Sequence, residues 1–132
     1  MKNWNINELD ARPRRPEVLA SSEDARAIVI SLAAGDSLED HQVHERAWLV
    51  VVAGEITVTA LAPAPDEKVT GGVGTLIEIE PSERHRVDAH ADSRFLLMLT
   101  PFPGRGHPGA MSIEEKAEVR ERAAERGATG AA

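Results

Sequence analysis

The chain contains no cysteine and no tyrosine. The first absence excludes disulfides, thiolate nucleophiles and cysteine-ligated zinc together. Aromatic side chains are scarce, two Phe and two Trp in 132 residues, so a core must be aliphatic. Basic residues are outnumbered, 15 Lys and Arg against 22 Asp and Glu, for a formal charge of −7. That balance disfavours a nucleic-acid partner, which needs a concentrated basic face. The piece Arg12-Pro13-Arg14-Arg15-Pro16 is the local exception. With no aromatic interleaved, it reads as a solvated arm rather than a phosphate clamp. No apolar run approaches membrane-spanning length, and the amino end MKNWNINELDARP lacks the apolar centre of a secretory signal. The expectation is a soluble, cytoplasmic protein with no membrane partner.

What is present is 42% apolar residues, enough for one core in a chain of this length. They are dealt out in short alternating runs. Residues 1–16 are polar and proline-punctuated, an arm with Trp4 as its anchor. Val18 to Ala20 reads as a short edge strand. Arg26 to Leu32 is a clear one, with Ile28, Ile30 and Leu32 on one face and Val29 and Ser31 on the other. Further strands are predicted over Ala47 to Val52, Ile56 to Leu61, Lys68 to Thr70, Thr75 to Ile79, Arg86 to Ala89 and Arg94 to Thr100. The prolines of 63–67 bar that loop from a central strand, and Gly71-Gly72-Val73-Gly74 reads as a turn. Short strands roughly every 8 to 12 residues, with Gly or Pro between, are the pattern of an all-β sandwich or barrel.

Trp48 to Val52 and Phe95 to Leu99 are apolar on both faces. A barrel strand should be polar outside, so something covers that outer face. A second copy of the chain is the first choice, giving a homodimer, and the arm bearing Trp4 is the alternative. The barrel is expected over 17–103. After it come a Gly/Pro loop, a short C-terminal helix from Ile113 to Arg126 opened by a Ser112–Glu115 capping box, and a disordered tail from Gly127.

One stretch concentrates polar groups where two strands meet. From Gly35 to Gly54 the sequence crowds His41, His44 and Glu45 at a hairpin tip. In a small closed barrel, His41 and the distant His85 can point into one lumen. Gly35 precedes His41 by five intervening residues, and Gly54 follows thirteen residues on. That is the frame of the first cupin signature: glycine, five residues, His-x-His, three or four residues, Glu, six residues, glycine. Gly74 with His85 eleven residues on matches the frame of the second: glycine, five residues, Pro-x-Gly-x-x-His, three residues, Asn. The chain therefore resembles a small single-domain cupin over roughly Val18 to Pro103, and its tail, PFPGRGHPGAMSIEEK, resembles that of small cupins too.

The resemblance implies a cupin-type jelly-roll β-barrel, usually dimeric, with a central cavity. In the full pattern three histidines and a glutamate hold a divalent metal such as iron, manganese, nickel or zinc. Here Val43 stands at the second histidine, Ala47 at the glutamate, Glu80 at the proline, Ser82 at the glycine and Ala89 at the asparagine. His41 and His85 carry over, and three protein ligands are the usual minimum for a catalytic site. A one-residue bulge would bring His44 into the place of Val43, with Glu45 as a further ligand. Regular alternation instead sends His44 to the face opposite His41.

Three readings follow. The first is a cupin barrel that takes a small, partly apolar ligand, with Leu49, Val51, Ile77 and Ile79 as lining and His41 and His85 as metal-free hydrogen-bonding residues. The second is a metalloenzyme of dioxygenase or isomerase type, with His41, His44 and His85 as ligands and Glu45 as ligand or base. The third is an interaction module that uses no pocket. Other polar residues have plainer readings. Glu45 and Arg46 suit a solvated hairpin tip, Glu78, Glu80 and Glu83 a polar strand face and loop, and His90 and His107 the surface. The glycine run lacks the lysine and helix of a phosphate loop, and no serine sits in a nucleophile motif.

Overall fold

A computed structural model describes residues 1–41, 44–62 and 67–100, and for Asp40, His41 and Ala62 the backbone alone. The helix read over 113–126, the tail, His107 and the loop at 63–66 lie outside the described residues.

Among the described residues nine strands carry the fold: β1 (Glu17–Ser21), β2 (Arg26–Leu32), β3 (Ser37–His41), β4 (Arg46–Ala53), β5 (Glu55–Ala62), β6 (Lys68–Gly72), β7 (Leu76–Ile79), β8 (Arg84–Ala89) and β9 (Ser93–Thr100). All pairings between them are antiparallel. They form a five-stranded sheet in the order β1-β2-β9-β4-β7 and a four-stranded sheet in the order β3-β8-β5-β6. Strands far apart in sequence lie side by side, as a jelly roll requires, and the architecture is all-β.

Register explains why the alternation in the sequence makes one core. Across the larger sheet Ile30 faces Phe95 and Phe95 faces Val51, while Ile28, Leu97, Leu49 and Ile77 form the next row. Across the smaller sheet Ile56 pairs with Ala89, Val58 with Val87, and Ala60 with His85. Because side chains alternate with period two, every one of these rows points inward and the two faces close over each other. The hydrophobic cluster at its centre is aliphatic apart from Phe95, which is almost fully buried.

Two connections differ from the sequence reading. Gly71 and Gly72 end β6 instead of forming the turn, which begins at Val73. A Cβ at Gly71 would collide with the side chain of Thr75, so glycine here serves a close approach within a strand. The arm also departs from expectation. Trp4 is 41% exposed. Hydrogen bonds do the anchoring: Asn7 Nδ2 donates to Val52 O at 3.1 Å, and Arg94 Nη1 donates to Ile6 O at 2.9 Å and Leu9 O at 2.6 Å. Arg94 Nε also donates to Ser31 Oγ at 2.9 Å, and the Arg14 amide to Ser31 O at 2.8 Å. The arm thus crosses β4, β9 and β2 on the outer face of the larger sheet. Further along that face Trp48, Val50, Leu96 and Met98 are half-buried. Among the described residues no helix is long and apolar enough to cross a membrane.

Candidate functional site

The inward rows end in small residues at one end of the barrel. Ala47 is the first inward residue of β4 and Ala60 stands near the end of β5, while β8 contributes His85. Ala60 leaves room, and a pocket of about 220 Å³ opens where edge strands β6 and β7 finish the two sheets. Val58, Ala60, Val69, Ile77 and Ile79 make its apolar wall, and Glu67, Glu78, Glu80 and Glu83 stand around it with His85.

His85 is 4% exposed. Its Nδ1 lies 3.1 Å from the carbonyl oxygen of Glu83. A carbonyl only accepts, so the imidazole carries its proton on Nδ1 and a lone pair on Nε2. Burial acts in the same sense, pushing the pKa below the ordinary 6.5 against the weaker pull of the Glu83 carbonyl. The result is a neutral, oriented acceptor, the form in which imidazole takes a hydrogen bond or binds a metal.

His41 stands opposite His85 in the β3–β8 register. The pairing slips between Leu38 and His41; the connection at 42–43, where a bulge would bring His44 round, lies outside the described residues. His44 is half-buried in the bend that leads into β4. Glu45 departs from the solvated-tip reading. It is 3% exposed, with Oε1 shielded from solvent. The reason is phase: Glu45 continues the row Ala47, Leu49, Val51, and the inward alternation of β4 begins one step before the strand does. Arg46 takes the outward phase and donates to Glu78 Oε2 at 2.9 Å, with Glu80 Oε1 also at 2.9 Å. That hydrogen bond from Arg46 is the main reason the Glu80 carboxyl is held below its usual value.

Of the expected lining, Ile77 and Ile79 reach the pocket. Leu49 and Val51 do not. They sit on the central strand β4, between β7 and β9, and pack into the closed core. Sequence reasoning missed Glu67, Val58, Ala60 and Val69. The alternation of β5 carried the signal for Val58 and Ala60, whereas nothing local singles out Glu67. Among the described residues no three His, Asp or Glu side chains converge in a cation site.

Solved structures with this architecture are numerous. An RmlC-like cupin protein from Desulfovibrio desulfuricans superposes with a TM-score of 0.67 over 76% of this chain and 97% of its own, at 23% identity. The chain has a cupin fold. An RmlC-like cupin family protein with a double-stranded β-helix fold from Methanocaldococcus jannaschii is similar at a TM-score of 0.62, covering 78% and 93% at 20% identity. An uncharacterised conserved protein with a double-stranded β-helix domain from Klebsiella pneumoniae gives 0.64, 76%, 90% and 17%. No family model and no curated protein matches the sequence.

The cupin frame also explains the glycines. Gly35, Gly54 and Gly74, the three that frame the two signatures, all have positive φ, 85°, 77° and 91°. They are left-handed turn positions that L side chains avoid. Ser82, at the glycine position of the second cupin signature, adopts φ 63° all the same.

Proposed function

We propose that this cupin barrel is a binding protein for a small, partly apolar molecule, seated in the pocket beside His85. The observation that carries the reading is a buried, neutral imidazole opening on an aliphatic pocket of about 220 Å³. Few polar groups on an apolar wall are how proteins orient small ligands. Ligand-observed NMR with a fragment library, on the full chain and on Ala60→Leu, tests it. The wild type should respond to fragments and Ala60→Leu, its pocket filled, should not. Silence in the wild type, or equal response in the variant, sinks the reading.

A second reading has one specific support, the register that sets His41 across from His85. On it, His41 and His85 would hold one divalent iron, manganese, nickel or zinc ion, with the buried Glu45 or with His44 completing the set. The metal would supply Lewis acidity or oxygen activation, and the Nδ1–H of His85 on Glu83 O would fix the ligand's orientation. Ala47 supplies no donor, so this set departs from the family pattern. Metal analysis of untagged protein decides: a stoichiometric ion lost in His41→Ala and His85→Ala supports it, and none after soaking counts against it.

The part of the outer face that the arm leaves, around Trp48, Val50, Leu96 and Met98, supports a homodimer, continued at the sheet edge by Leu76, 62% exposed. Light scattering should give twice the chain's 14.2 kDa. A monomer at micromolar concentration contradicts it.

A further inference from the structure

We infer that the groove between the arm and the larger sheet is a second binding site, one that takes the monoanion of a small carboxylic acid at Arg94 and Ser31. The inference does not rest on the His85 pocket. The groove measures about 370 Å³, within the range of roughly 300 to 1,000 Å³ typical of ligand sites. The arm supplies one side of it with Ala11 and Pro13, and the barrel supplies the other with Leu32 and Ala33 as hydrocarbon. An apolar body has a wall to lie against.

Hydrogen-bond accounting singles out two side chains of the groove. Arg94 uses Nε–H on Ser31 Oγ and its Nη1 hydrogens on Ile6 O and Leu9 O. A guanidinium carries five N–H donors, so the two on Nη2 remain. This half-buried cation forms no ion pair with a carboxylate among the described residues. Ser31 is 8% exposed. Its Oγ accepts from Arg94, and its own proton meets no acceptor among the described residues. Buried polar hydrogens are ordinarily matched. Donors left over on two bonded neighbours, one of them cationic, suit an anionic acceptor. The other polar side chains of the groove are engaged. Asn7 donates to Val52 O, Ser93 Oγ bonds to the backbone of Glu55 and Ala91, and Asp92 Oδ1 accepts from the Ala34 amide. The charge of Asp92 opposes a dianion such as phosphate more than a carboxylate monoanion.

Isovalerate, its neutral isostere isovaleramide and inorganic phosphate, titrated into the full chain and followed by two-dimensional NMR, provide the test. Isovalerate should shift the resonances of Ser31, Asp92 and Arg94 and leave those of Ala60 and His85 in place. It should bind at least about tenfold tighter than isovaleramide, since a charged acceptor makes the stronger hydrogen bonds, and tighter than phosphate. Added salt should weaken it. Arg94 also holds the arm, so the variants leave it intact. Ser31→Ala should weaken isovalerate about three- to tenfold, and Ala33→Leu, which fills the groove, should abolish binding. A fragment set without carboxylates keeps the test of the His85 pocket separate from this one. Shifts centred on His85 would overturn the groove and leave that pocket standing. Equal binding of acid and amide, tighter phosphate, affinity unmoved in both variants, or no binding of isovalerate overturns the carboxylate assignment.

Discussion

The two ends of the barrel are built from the same strands and differ in side-chain volume. At one end Phe95, Val51, Ile30, Leu32 and Ile56 fill the interior and are buried almost completely. At the other, the same strands arrive with Ala47 and Ala60, and β8 brings His85. In the first the side chains fill the space between the sheets; beside Ala60 and His85 a pocket of about 220 Å³ remains. A cavity needs no special element here. It follows from one small inward residue, Ala60, near the end of β5.

The sharpest way to break this contrast is at the packed end. Phe95→Ala should cost about 3–5 kcal/mol, measured by urea unfolding, because the closed core cannot collapse around the void. Gly54→Ala should cost about 2–3 kcal/mol, since φ is 77° and the added Cβ meets Ser93 Oγ and the Asp92 carbonyl. At the hollow end Ala60→Leu should cost less than about 1 kcal/mol while it abolishes ligand response, because the new methyls enter space already there. A cost as large as that of Phe95→Ala would erase the distinction between the ends. Ser82→Gly should gain about 0.5–1 kcal/mol by relieving the left-handed backbone beside the pocket.

The last test uses pH. His85 has a folded pKa below its ordinary 6.5, so the unfolded chain takes up the proton first as pH falls. Stability should therefore decline below about pH 6.5, and the loss should level off once the folded imidazole also titrates. Asp88 adds loss in the same direction below its ordinary 3.8, since Arg86 and then Ser37 hold its carboxyl down by hydrogen bonds. Thermal melts of His85→Gln should be flatter between about pH 7 and pH 5 than those of the wild type.

Most of the barrel was legible in the sequence because alternation and turn glycines are local signals. The runs of β2, β4, β5 and β9 point inward as their patterns predict, and the framing glycines stand where left-handed turns demand them. The site was less legible because it depends on contacts between distant residues. Glu45 looked like hairpin-tip charge, and only its phase with Ala47 and Leu49 reveals it as buried. Leu49 and Val51 looked like lining, yet whether an inward residue meets a void or a neighbour depends on the facing sheet. Trp4 drew attention as a large apolar residue, whereas the arm is held by backbone carbonyls that no composition records.

Arg94 reaches the arm through the carbonyls of Ile6 and Leu9, groups that every amino acid possesses. Apart from Asn7, whose side chain donates to Val52 O, the information that docks this segment therefore resides in the barrel. Positions 6, 8 and 9 are free to drift over generations, while positions 94 and 7 are not. Relatives that keep the arm should show an arginine there beneath unrelated leader sequences.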